Sequence, residues 1–292
     1  MIVPALDARK LEAGLNSGSD ALVIDLENSI APSSKAEARR EAATFLAEFS
    51  RSSSRPRLIV RLNDLDSGFC IEDLSSVVPE RPDAVILPKP KCGADVTRLS
   101  KQIDVLERYA GLKNGGVRVM AMTTDTPNAL LSMQSFTTAR SRLMGLGWGK
   151  STLGTALGAA SSRDTHGQIT APFALARSLC VITAHAAGVQ AIDCINGDFR
   201  NLGALARECL ESARDGFTAK FAVNPSQIPI INEAFTPTAP EVQHAKAVIA
   251  AFEAEGFPGV IAFHGKMLYR ADLDHAKNLM TRSRLADRKF ES

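Results

Sequence analysis

The segment Ala84-Val85-Ile86-Leu87-Pro88-Lys89 contains four consecutive apolar residues, followed by a proline and a lysine. A strand with one face in water alternates apolar and polar residues, whereas a run of apolar residues fits a parallel strand that is buried on both faces. The lysine stands where such a strand ends. The segment therefore predicts a buried parallel strand with a polar residue at its carboxyl end.

Seven other segments have comparable patterns, and helical periodicity separates them. The predicted strands span residues 2–4, 21–27, 57–63, 84–89, 117–123, 142–149, 191–196 and 219–224. The predicted helices span residues 7–16, 34–49, 71–78, 95–108, 126–133, 172–187, 199–214 and 225–234. Eight such units in about 235 residues predict a (β/α)8 TIM barrel. A doubly wound sheet is the competing α/β fold, but no GxGxxG motif follows the first strand.

The predicted domain organisation is a barrel catalytic domain over residues 1–235 and a helical C-terminal extension over residues 236–292. The extension shows two helical patterns, 241–255 and 271–284, around a glycine-rich turn at 256–265. It is too small to form an independent core. We therefore expect it to take part in subunit contacts and the protein to be a homo-oligomer.

The composition excludes several classes of protein. The chain has 292 residues, of which 45% are hydrophobic and 23% charged, and its net charge is only +2. This predicts a soluble globular protein with no general affinity for nucleic acid or membrane. The start of the sequence lacks the basic region and apolar run of an export signal. Its five cysteines are scattered and form no CxxC pair. The predicted location is therefore the cytoplasm, with reduced thiols.

Polar residues stand at the carboxyl ends of the predicted strands, where TIM barrels carry their active sites. A guanidinium can hold a carboxylate in bidentate fashion, and carboxylates can hold a hard divalent cation. Arg61, Asp125 and Glu27 are therefore the predicted catalytic residues. The predicted substrate contacts are Arg61, Asn63, Lys89, Trp148, Gly149 and Lys150. Such a set is suited to chemistry that passes through an enolate, with Mg2+ and an arginine stabilising the negative charge.

Two of these residues have alternative interpretations. Lys89 could be a Schiff-base nucleophile, but a contact to a phosphate or a thioester tail is favoured, since a lysine must be buried to lower its pKa. Trp148 either lines the pocket or fills the mouth of the barrel. The nearby segment Gly145-Leu146-Gly147-Trp148-Gly149-Lys150-Ser151 has the wrong glycine spacing for a P-loop and is interpreted as the loop after the sixth strand.

The motifs of the chain resemble those of the citrate lyase beta subunit-like members of the HpcH/HpaI aldolase superfamily. The similarity extends over nearly the whole chain, and the evidence for it is the order in which the motifs occur. The matching words are Val3-Pro4, Asp20-Ala21-Leu22-Val23-Ile24-Asp25-Leu26-Glu27-Asn28-Ser29, Val60-Arg61-Leu62-Asn63, Ile86-Leu87-Pro88-Lys89, Ala191-Ile192-Asp193, Gly216-Phe217 with Lys220, and Asn224-Pro225-Ser226-Gln227.

The resemblance implies a trimeric or hexameric barrel enzyme that cleaves or forms carboxylated 3-hydroxyacyl thioesters with magnesium. Its partners would be an acyl-CoA thioester or an oxo acid. Members of the family bind the substrate carboxylate with the arginine that matches Arg61. They bind the metal with the glutamate of an E-T-P motif and the aspartate of a G-A-E-D-L motif.

The sequence of this chain differs from that of the family in these two metal-binding motifs. Asp125-Thr126-Pro127 replaces E-T-P, and Thr152 stands at the position of the second metal-binding carboxylate. Asp125 and Thr152 thus stand at the two positions whose side chains bind the metal in the family. Because Thr152 is neutral, less negative charge is available to a cation. The family also tends to have an aspartate after its C-terminal G-K-M word, where this chain has Tyr269.

Three functions remain open from the sequence. The leading hypothesis is a carbon–carbon lyase that acts through a magnesium-stabilised enolate. A metal-free aldolase that forms a Schiff base at Lys89 or Lys150 is the second. The third is a non-catalytic homologue that binds an acyl thioester without turning it over, because aspartate is missing at both 152 and 269.

Overall fold

The computed structural model describes residues 1–52, 54–139 and 141–287. The chain divides into two compact units, Met1–Ile231 and Asn232–Ser292, and the described part of the second unit ends at residue 287. The last five residues of the predicted C-terminal extension therefore lie outside the described residues. Across the described ranges, no helix has both the length and the apolar character to cross a bilayer.

Eight parallel strands form the centre of the first unit, and each pairs with its sequence neighbours. The strands are β1 (Ile2–Pro4), β2 (Ala21–Asp25), β3 (Arg57–Arg61), β4 (Ala84–Leu87), β5 (Arg118–Met122), β6 (Leu143–Gly147), β7 (Gln190–Asp193) and β8 (Ala219–Lys220).

The helices of this unit follow the strands around the outside of the barrel. They are α1 (Ala8–Leu15), α2 (Lys35–Phe49), α3 (Cys70–Val77), α4 (Gly93–Tyr109), α5 (Pro127–Leu131), α6 (Lys150–Leu157), α7 (Ala171–Ala187), α8 (Leu202–Arg214) and α9 (Ile228–Phe235), the last of which runs past the end of the unit.

The sheet curls until its two edges meet. The Ile2 amide donates a 2.8 Å hydrogen bond to the Ala222 carbonyl, which joins β1 to the segment after β8. Inside the curl, apolar side chains of several strands pack together, among them those of Val23, Ile59, Ile86 and Ile192. This arrangement is the predicted (β/α)8 TIM barrel, so all strand carboxyl ends open on one face.

Most predicted strands extend further than the observed ones. The second strand ends at Asp25 rather than at residue 27, and the third at Arg61 rather than at residue 63. Leu26 and Leu62, directly beyond these ends, still donate to carbonyls of the neighbouring strands, those of Arg61 and Ile86. The chain leaves the sheet at the next residues, because their amides donate to side chains instead. The Glu27 amide, for example, donates to the Asp25 carboxylate at 2.8 Å.

Helix α6 was absent from the predicted elements. Its sequence contains Gly154 and two threonines, which are weak helix formers, and only Leu153 is buried. Gly158 ends the helix in a left-handed conformation with φ of 64°. The helix begins at Lys150, so the segment predicted as the loop after the sixth strand has only Trp148 and Gly149 between β6 and α6.

The second unit contains α10 (Ala239–Ala254), the antiparallel strands β9 (Val260–Phe263) and β10 (Lys266–Tyr269), and α11 (Arg270–Asp287). Phe252, Ile261 and Leu273 contribute to its own small apolar core, so the expectation that the extension is too small to form one was wrong. The sequence predicted only a glycine-rich turn between the helices. His264 and Gly265 have φ of 47° and 76°, the left-handed pair that joins two strands in a tight hairpin.

The cysteines form no disulfide in the structure, and Cys92 is the one that is not buried. Burial raises the pKa of Cys70, Cys180 and Cys194 to about 12 and that of Cys209 to about 11. These thiols remain protonated at physiological pH and are poor nucleophiles and metal ligands.

Candidate active site

A cavity of about 460 Å3 opens at the carboxyl ends of the strands. Its apolar wall comes from the barrel interior and includes Ile86, Met122 and Phe221. Its polar wall contains Asp25, Arg61, Asp125, Trp148, Gly149, Lys150 and Thr152. A pocket with an apolar floor and a few convergent polar groups is the usual form of a small-molecule site.

Arg61, at the end of β3, forms a bidentate ion pair with Asp25, at the end of β2. Its Nε and Nη2 donate to the two carboxylate oxygens at 2.7 Å each. Burial would raise the pKa of Asp25, but the hydrogen bonds and charge of Arg61 outweigh it, and the net pKa lies below the ordinary value. Two nitrogens of the predicted substrate anchor are thus engaged within the protein, and a substrate carboxylate would meet the remaining nitrogen, Nη1.

Glu27 lies beside this pair and connects it to β4. Its Oε2 is 3.6 Å from Arg61 Nε, and its Oε1 is 2.7 Å from the ammonium of Lys89. The backbone that carries Glu27 is held by the buried ammonium of Lys35, which donates to the carbonyls of Leu26 and Glu27 at 2.6 Å each. Glu27 is itself buried, with 6% exposure.

Lys89 contacts both predicted catalytic carboxylates. While its ammonium pairs with Glu27, its backbone N–H donates to Asp125 Oδ2 at 3.3 Å. Its φ of 47° is left-handed, which is uncommon for a residue with a side chain and concentrates at functional sites. Burial lowers the pKa of Lys89, but Glu27 outweighs that effect and the net pKa is raised. A stabilised ammonium is the opposite of what Schiff-base formation requires.

Asp125, just after β5, is a buried carboxylate with an oxygen, Oδ1, that forms no hydrogen bond and no ion pair among the described residues. The net pKa of Asp125 is raised to about 7, chiefly by burial. The hydrogen bond from the Lys89 amide lowers the pKa, and the negative charge of Glu27 raises it. At neutral pH this group is therefore poised between its protonated and ionised forms.

Gly149 lies directly over the unsatisfied oxygen. A Cβ atom built at this position would be 2.7 Å from Asp125 Oδ1, so no larger residue fits without a shift. The Gly149 amide donates to the Thr124 hydroxyl at 3.0 Å, which fixes this close approach. The tertiary structure thus explains why a glycine stands between Trp148 and Lys150.

Trp148 both lines the cavity and fills the mouth of the barrel, so the two interpretations of this residue are compatible. Its side chain is buried, and the indole Nε1 donates to Asp193 Oδ1 at 2.6 Å. Lys150 also lines the cavity, and its ammonium lies 3.9 Å from Glu208 Oε1.

Asn63 is not among the residues that line the cavity. Its side-chain nitrogen and its backbone amide both donate to Asp73 Oδ2 at 2.8 Å. Its amide thus joins the end of β3 to α3, and Asp73 in turn pairs with Arg39 at 3.0 Å. These contacts give Asn63 a structural role in place of the predicted substrate contact.

A group of polar residues behind Trp148 was not among the predicted site residues. Asp193, Ser212 and Lys220 are buried and hydrogen-bonded to one another, and Glu208 adjoins them. Asp193 and Lys220 were visible in the sequence as polar residues at strand ends. Ser212 and Glu208 lie within α8, and no local signal distinguishes them from surface residues of a helix.

The residues of the cavity fit a magnesium ion held through one protein carboxylate. Mg2+ is commonly bound by one or two carboxylates, with water and substrate oxygens completing its shell. The unpartnered Oδ1 of Asp125 would be the carboxylate ligand of such an ion, and Thr152 adds only a neutral hydroxyl to the same cavity. The described ranges contain no group of three or more histidine, cysteine or acidic residues that could hold a metal.

The fold and the site together define a TIM-barrel protein with a carboxylate and arginine pocket at its strand ends. The profile of the HpcH/HpaI aldolase/citrate lyase family matches residues 1–225. The chain therefore belongs to this family, as the sequence motifs predicted.

Relatives and solved structures agree with this assignment. The chain is 30% identical to the citrate lyase subunit beta of Escherichia coli strain K12 over 289 residues, which is 98% of this chain and 93% of the relative. It is 30% identical to the mitochondrial citramalyl-CoA lyase of Mus musculus, over 96% of this chain and 84% of the relative. The CitE protein of Mycobacterium tuberculosis, solved with magnesium, acetoacetate and coenzyme A, has a TM-score of 0.76 and 26% identity, with 97% of this chain and 96% of that chain covered.

Proposed function

We propose that the protein is a carbon–carbon lyase that cleaves or forms a carboxylated 3-hydroxyacyl thioester. The observation that carries this proposal is the buried, unpartnered oxygen of Asp125 on the wall of a cavity that also contains Arg61. The related lyases named above act on citrate or citramalyl-CoA. In this chain a carboxylated thioester would therefore enter the same cavity.

The proposed cleavage has three chemical requirements. The substrate hydroxyl loses its proton, and the bond between the hydroxyl-bearing carbon and the carbon next to the thioester carbonyl breaks. The electron pair of this bond passes to the thioester as an enolate, which then takes up a proton at carbon. Negative charge develops on oxygen at each stage, so fixed positive charge lowers the barrier.

Arg61 and Asp125 in the wall of this cavity, together with Lys89 and Glu27 beside it, supply that charge in a fixed arrangement. Arg61 is oriented by its two hydrogen bonds to Asp25 and presents its remaining nitrogen to a substrate carboxylate. Lys89 is held as an ammonium by Glu27, and Asp125 is the carboxylate that would hold Mg2+. When bound, the ion would act as a Lewis acid on substrate oxygens. Burial of these groups excludes water and strengthens their interaction with the substrate.

Two further assignments extend this proposal. Thr152 would bind the metal only through a neutral hydroxyl or a water molecule, so we expect magnesium affinity to depend on bound substrate oxygens. The protein would act in the cytoplasm as a trimer or hexamer, with the barrel as the catalytic domain and residues 236–292 in subunit contacts.

The test is a lyase assay with Mg2+ and a panel of carboxylated 3-hydroxyacyl-CoA thioesters, in which release of the oxo acid is measured. We expect Arg61→Ala to reduce kcat/KM at least about a hundredfold, because charge-assisted hydrogen bonds to substrate are lost. Arg40→Ala is the matched control, since Arg40 is exposed on α2 away from the cavity. Equal turnover by Arg61→Ala and wild type would refute the assignment.

A non-catalytic role is the second candidate, and the neutral Thr152 at the cavity wall is the observation in its favour. In that case the protein would bind an acyl-CoA thioester, and no member of the panel would be cleaved. Calorimetric binding of the same thioesters, run beside the assay, separates a binder from a protein that has lost the site altogether.

A further inference from the structure

The residues Trp148, Gly149 and Lys150 form one wall of the candidate active site, which we call the 148–150 segment. Gly149 is packed so closely against Asp125 that a Cβ atom would be only 2.7 Å from Oδ1. A shift of the segment by a fraction of this distance would change both the width of the cavity and the surroundings of that oxygen. Its position must therefore be fixed by residues outside the cavity.

The Trp148 side of the segment is fixed by Asp193. The Trp148 indole donates to Asp193 Oδ1 at 2.6 Å, and the Cys194 amide donates to the same oxygen at 2.9 Å. The second oxygen accepts from the Ser212 hydroxyl at 2.7 Å and from the Lys220 ammonium at 2.5 Å. Both carboxylate oxygens are thus doubly engaged, which leaves the indole one well-defined position.

The Lys150 side of the segment is connected to the same network through Glu208. The ammonium of Lys220 donates to Glu208 Oε1 at 2.7 Å as well as to Asp193. That same oxygen of Glu208 lies 3.9 Å from the Lys150 ammonium, and Oε2 accepts from the Asn196 amide at 3.1 Å. Lys220, whose side chain is fully buried, therefore links both sides of the segment.

We infer that the buried ion pair of Asp193 and Lys220 is a positioning device that orients Trp148 and Lys150 across the candidate active site. Neither residue of the pair serves as a reacting group. Its kinetic consequence rests on the proposed lyase function, whereas its structural consequence for Trp148 does not.

A simple structural pair would join β7 to β8 and leave the end of β6 unaffected. The observed network differs because it includes the Trp148 indole, which belongs to the end of β6 and to the cavity wall. Burial would raise the pKa of Asp193, but the charge and hydrogen bond of Lys220 outweigh it and hold the net pKa below the ordinary value. Removal of Lys220 would leave a buried carboxylate without its cation, and its pKa would rise.

The chain contains a single tryptophan, so its fluorescence reports on Trp148 alone. The experiment compares the pH dependence of this emission in Lys220→Met and in the chain that keeps Lys220. Both are studied with Asp125→Asn, which removes the neighbouring carboxyl whose pKa is about 7. The other charged or titratable groups around Asp193 are Glu208, Lys150, the thiols Cys180, Cys194 and Cys209, and the residues Arg163, Arg177, Glu211, Arg214 and Asp215 that line a cavity together with Asp193. The three thiols stay neutral in the relevant range.

When Lys220 is present, we expect the Trp148 emission to stay constant between about pH 5 and about pH 9. In Lys220→Met we expect the emission to change within that range, since a buried acid without its cation has a raised pKa. Acrylamide should also quench Trp148 more strongly in the variant. Asp193→Asn/Lys220→Met should abolish the titration, because the titrating group is gone. Flat emission and unchanged quenching in Lys220→Met would overturn the inference, as would a titration that persists in the double variant.

Two controls separate this effect from general destabilisation. Arg142→Met removes another buried cation, which pairs with Asp104 and Glu107 beyond the opposite end of β6, and it should not make the emission pH-dependent. Ser212→Ala removes the hydroxyl that donates to Asp193 and to the Glu208 carbonyl and accepts from Arg177, and it retains the ion pair of Asp193 and Lys220. It is the second variant, to be used if Lys220→Met does not fold. We expect it to increase acrylamide quenching slightly, and no increase would count against the inference.

The kinetic arm uses the lyase assay with Lys220→Met in the otherwise unchanged chain. A misplaced cavity wall lowers kcat more than it raises KM, and we expect a loss of kcat on the order of tenfold to a hundredfold. If wild type shows no turnover, the proposed function fails while the fluorescence result still decides the positioning role. If wild type is active and Lys220→Met has the same kcat, the positioning role fails alone.

Discussion

Arg61 and Asp25 are joined by two parallel hydrogen bonds of 2.7 Å each. Asp25 is almost fully buried and Arg61 is 17% exposed, so water competes little with this pair. Asp25 also accepts from the amides of Glu27 and Ser29. The pair therefore ties the loop after β2, with its Glu27, to the guanidinium at the end of β3.

The first prediction follows from this pair. Asp25→Asn should lower the free energy of unfolding by about 2–4 kcal/mol, because the largely buried Arg61 loses its bidentate partner and keeps only the more distant Glu27 carboxylate, 3.6 Å from Nε. Urea denaturation at neutral pH measures this difference. Asp66→Asn is the matched control, since Asp66 pairs with Lys91 on the surface, and it should lower the free energy of unfolding much less. Equal losses in the two variants would contradict the prediction.

The second prediction concerns the space above Asp125. Gly149→Ala should reduce lyase activity at least about tenfold while the protein remains folded, because the new methyl group presses on Asp125 Oδ1. Magnesium binding measured by calorimetry should weaken in parallel. Gly203→Ala in α8 is the control, since its Cβ would meet open space. Unchanged activity in Gly149→Ala would contradict the prediction, since it would show that the cavity wall shifts to accommodate the methyl group.

The third prediction is a pH dependence that arises from Asp125. Burial raises the pKa of this group to about 7 from the ordinary 3.8, so the folded protein holds a proton that the unfolded chain releases between these values. The stability it contributes is fully present below the unfolded pKa and is lost as the pH rises through about 7. Each pKa unit corresponds to about 1.4 kcal/mol.

Thermal unfolding with and without Mg2+ measures this effect. Mg2+ binds the ionised form, so the rise in Tm that it causes should be larger at pH 8 than at pH 6. Asp125→Asn should remove both the pH dependence and the response to Mg2+. A magnesium response of equal size in Asp125→Asn would place the ion elsewhere.

The fourth prediction separates the two contacts that Lys89 makes. Lys89→Gly keeps the backbone amide that faces Asp125 and relieves the left-handed φ of 47°, whereas Lys89→Met keeps that strain. Both variants lose the ammonium beside Glu27. We expect both to lose activity to a similar extent, with Lys89→Gly the more stable by about 1 kcal/mol. Retained activity in Lys89→Gly alone would assign the function of this residue to its amide.

The fifth prediction tests covalent catalysis. Because Glu27 stabilises the charged form of Lys89, incubation with pyruvate or oxaloacetate and borohydride should leave the mass of the protein unchanged. Mass spectrometry of the intact chain is the measurement, and an aldolase that forms a Schiff base serves as the positive control. A mass increase located at Lys89 or Lys150 would restore the metal-free mechanism.

Much of the barrel was predictable because its signal is local. Runs such as Val85-Ile86-Leu87 identify buried parallel strands, and the strand order then places Asp25, Arg61 and Asp125 on one face. Helix α6 and the hairpin of β9 and β10 were missed. The sequence of α6 has a weak intrinsic helix preference. Strand β9, Val260–Phe263, is rich in strand-forming residues, but it is only four residues long and lies within the stretch interpreted as a glycine-rich turn.

The partners of the site residues were beyond the reach of the sequence. Asn63 and Arg61 both stand at the end of β3, yet the first hydrogen-bonds to Asp73 and the second lines the cavity. Strand periodicity indicates which residues reach the carboxyl face but not which neighbour each one meets. That choice depends on side-chain packing between elements that are far apart in the chain.

The sequence by itself determined the barrel, the family and the position of the site, because burial patterns and motif order are properties of short segments. Only the tertiary structure decided that Arg61 is paired with Asp25, that Asp125 Oδ1 is unpartnered, and that Asp193 with Lys220 holds Trp148. Hydrogen bonds and pKa values depend on distances of a few ångströms between groups separated by tens of residues. These distances exist only after the chain has folded.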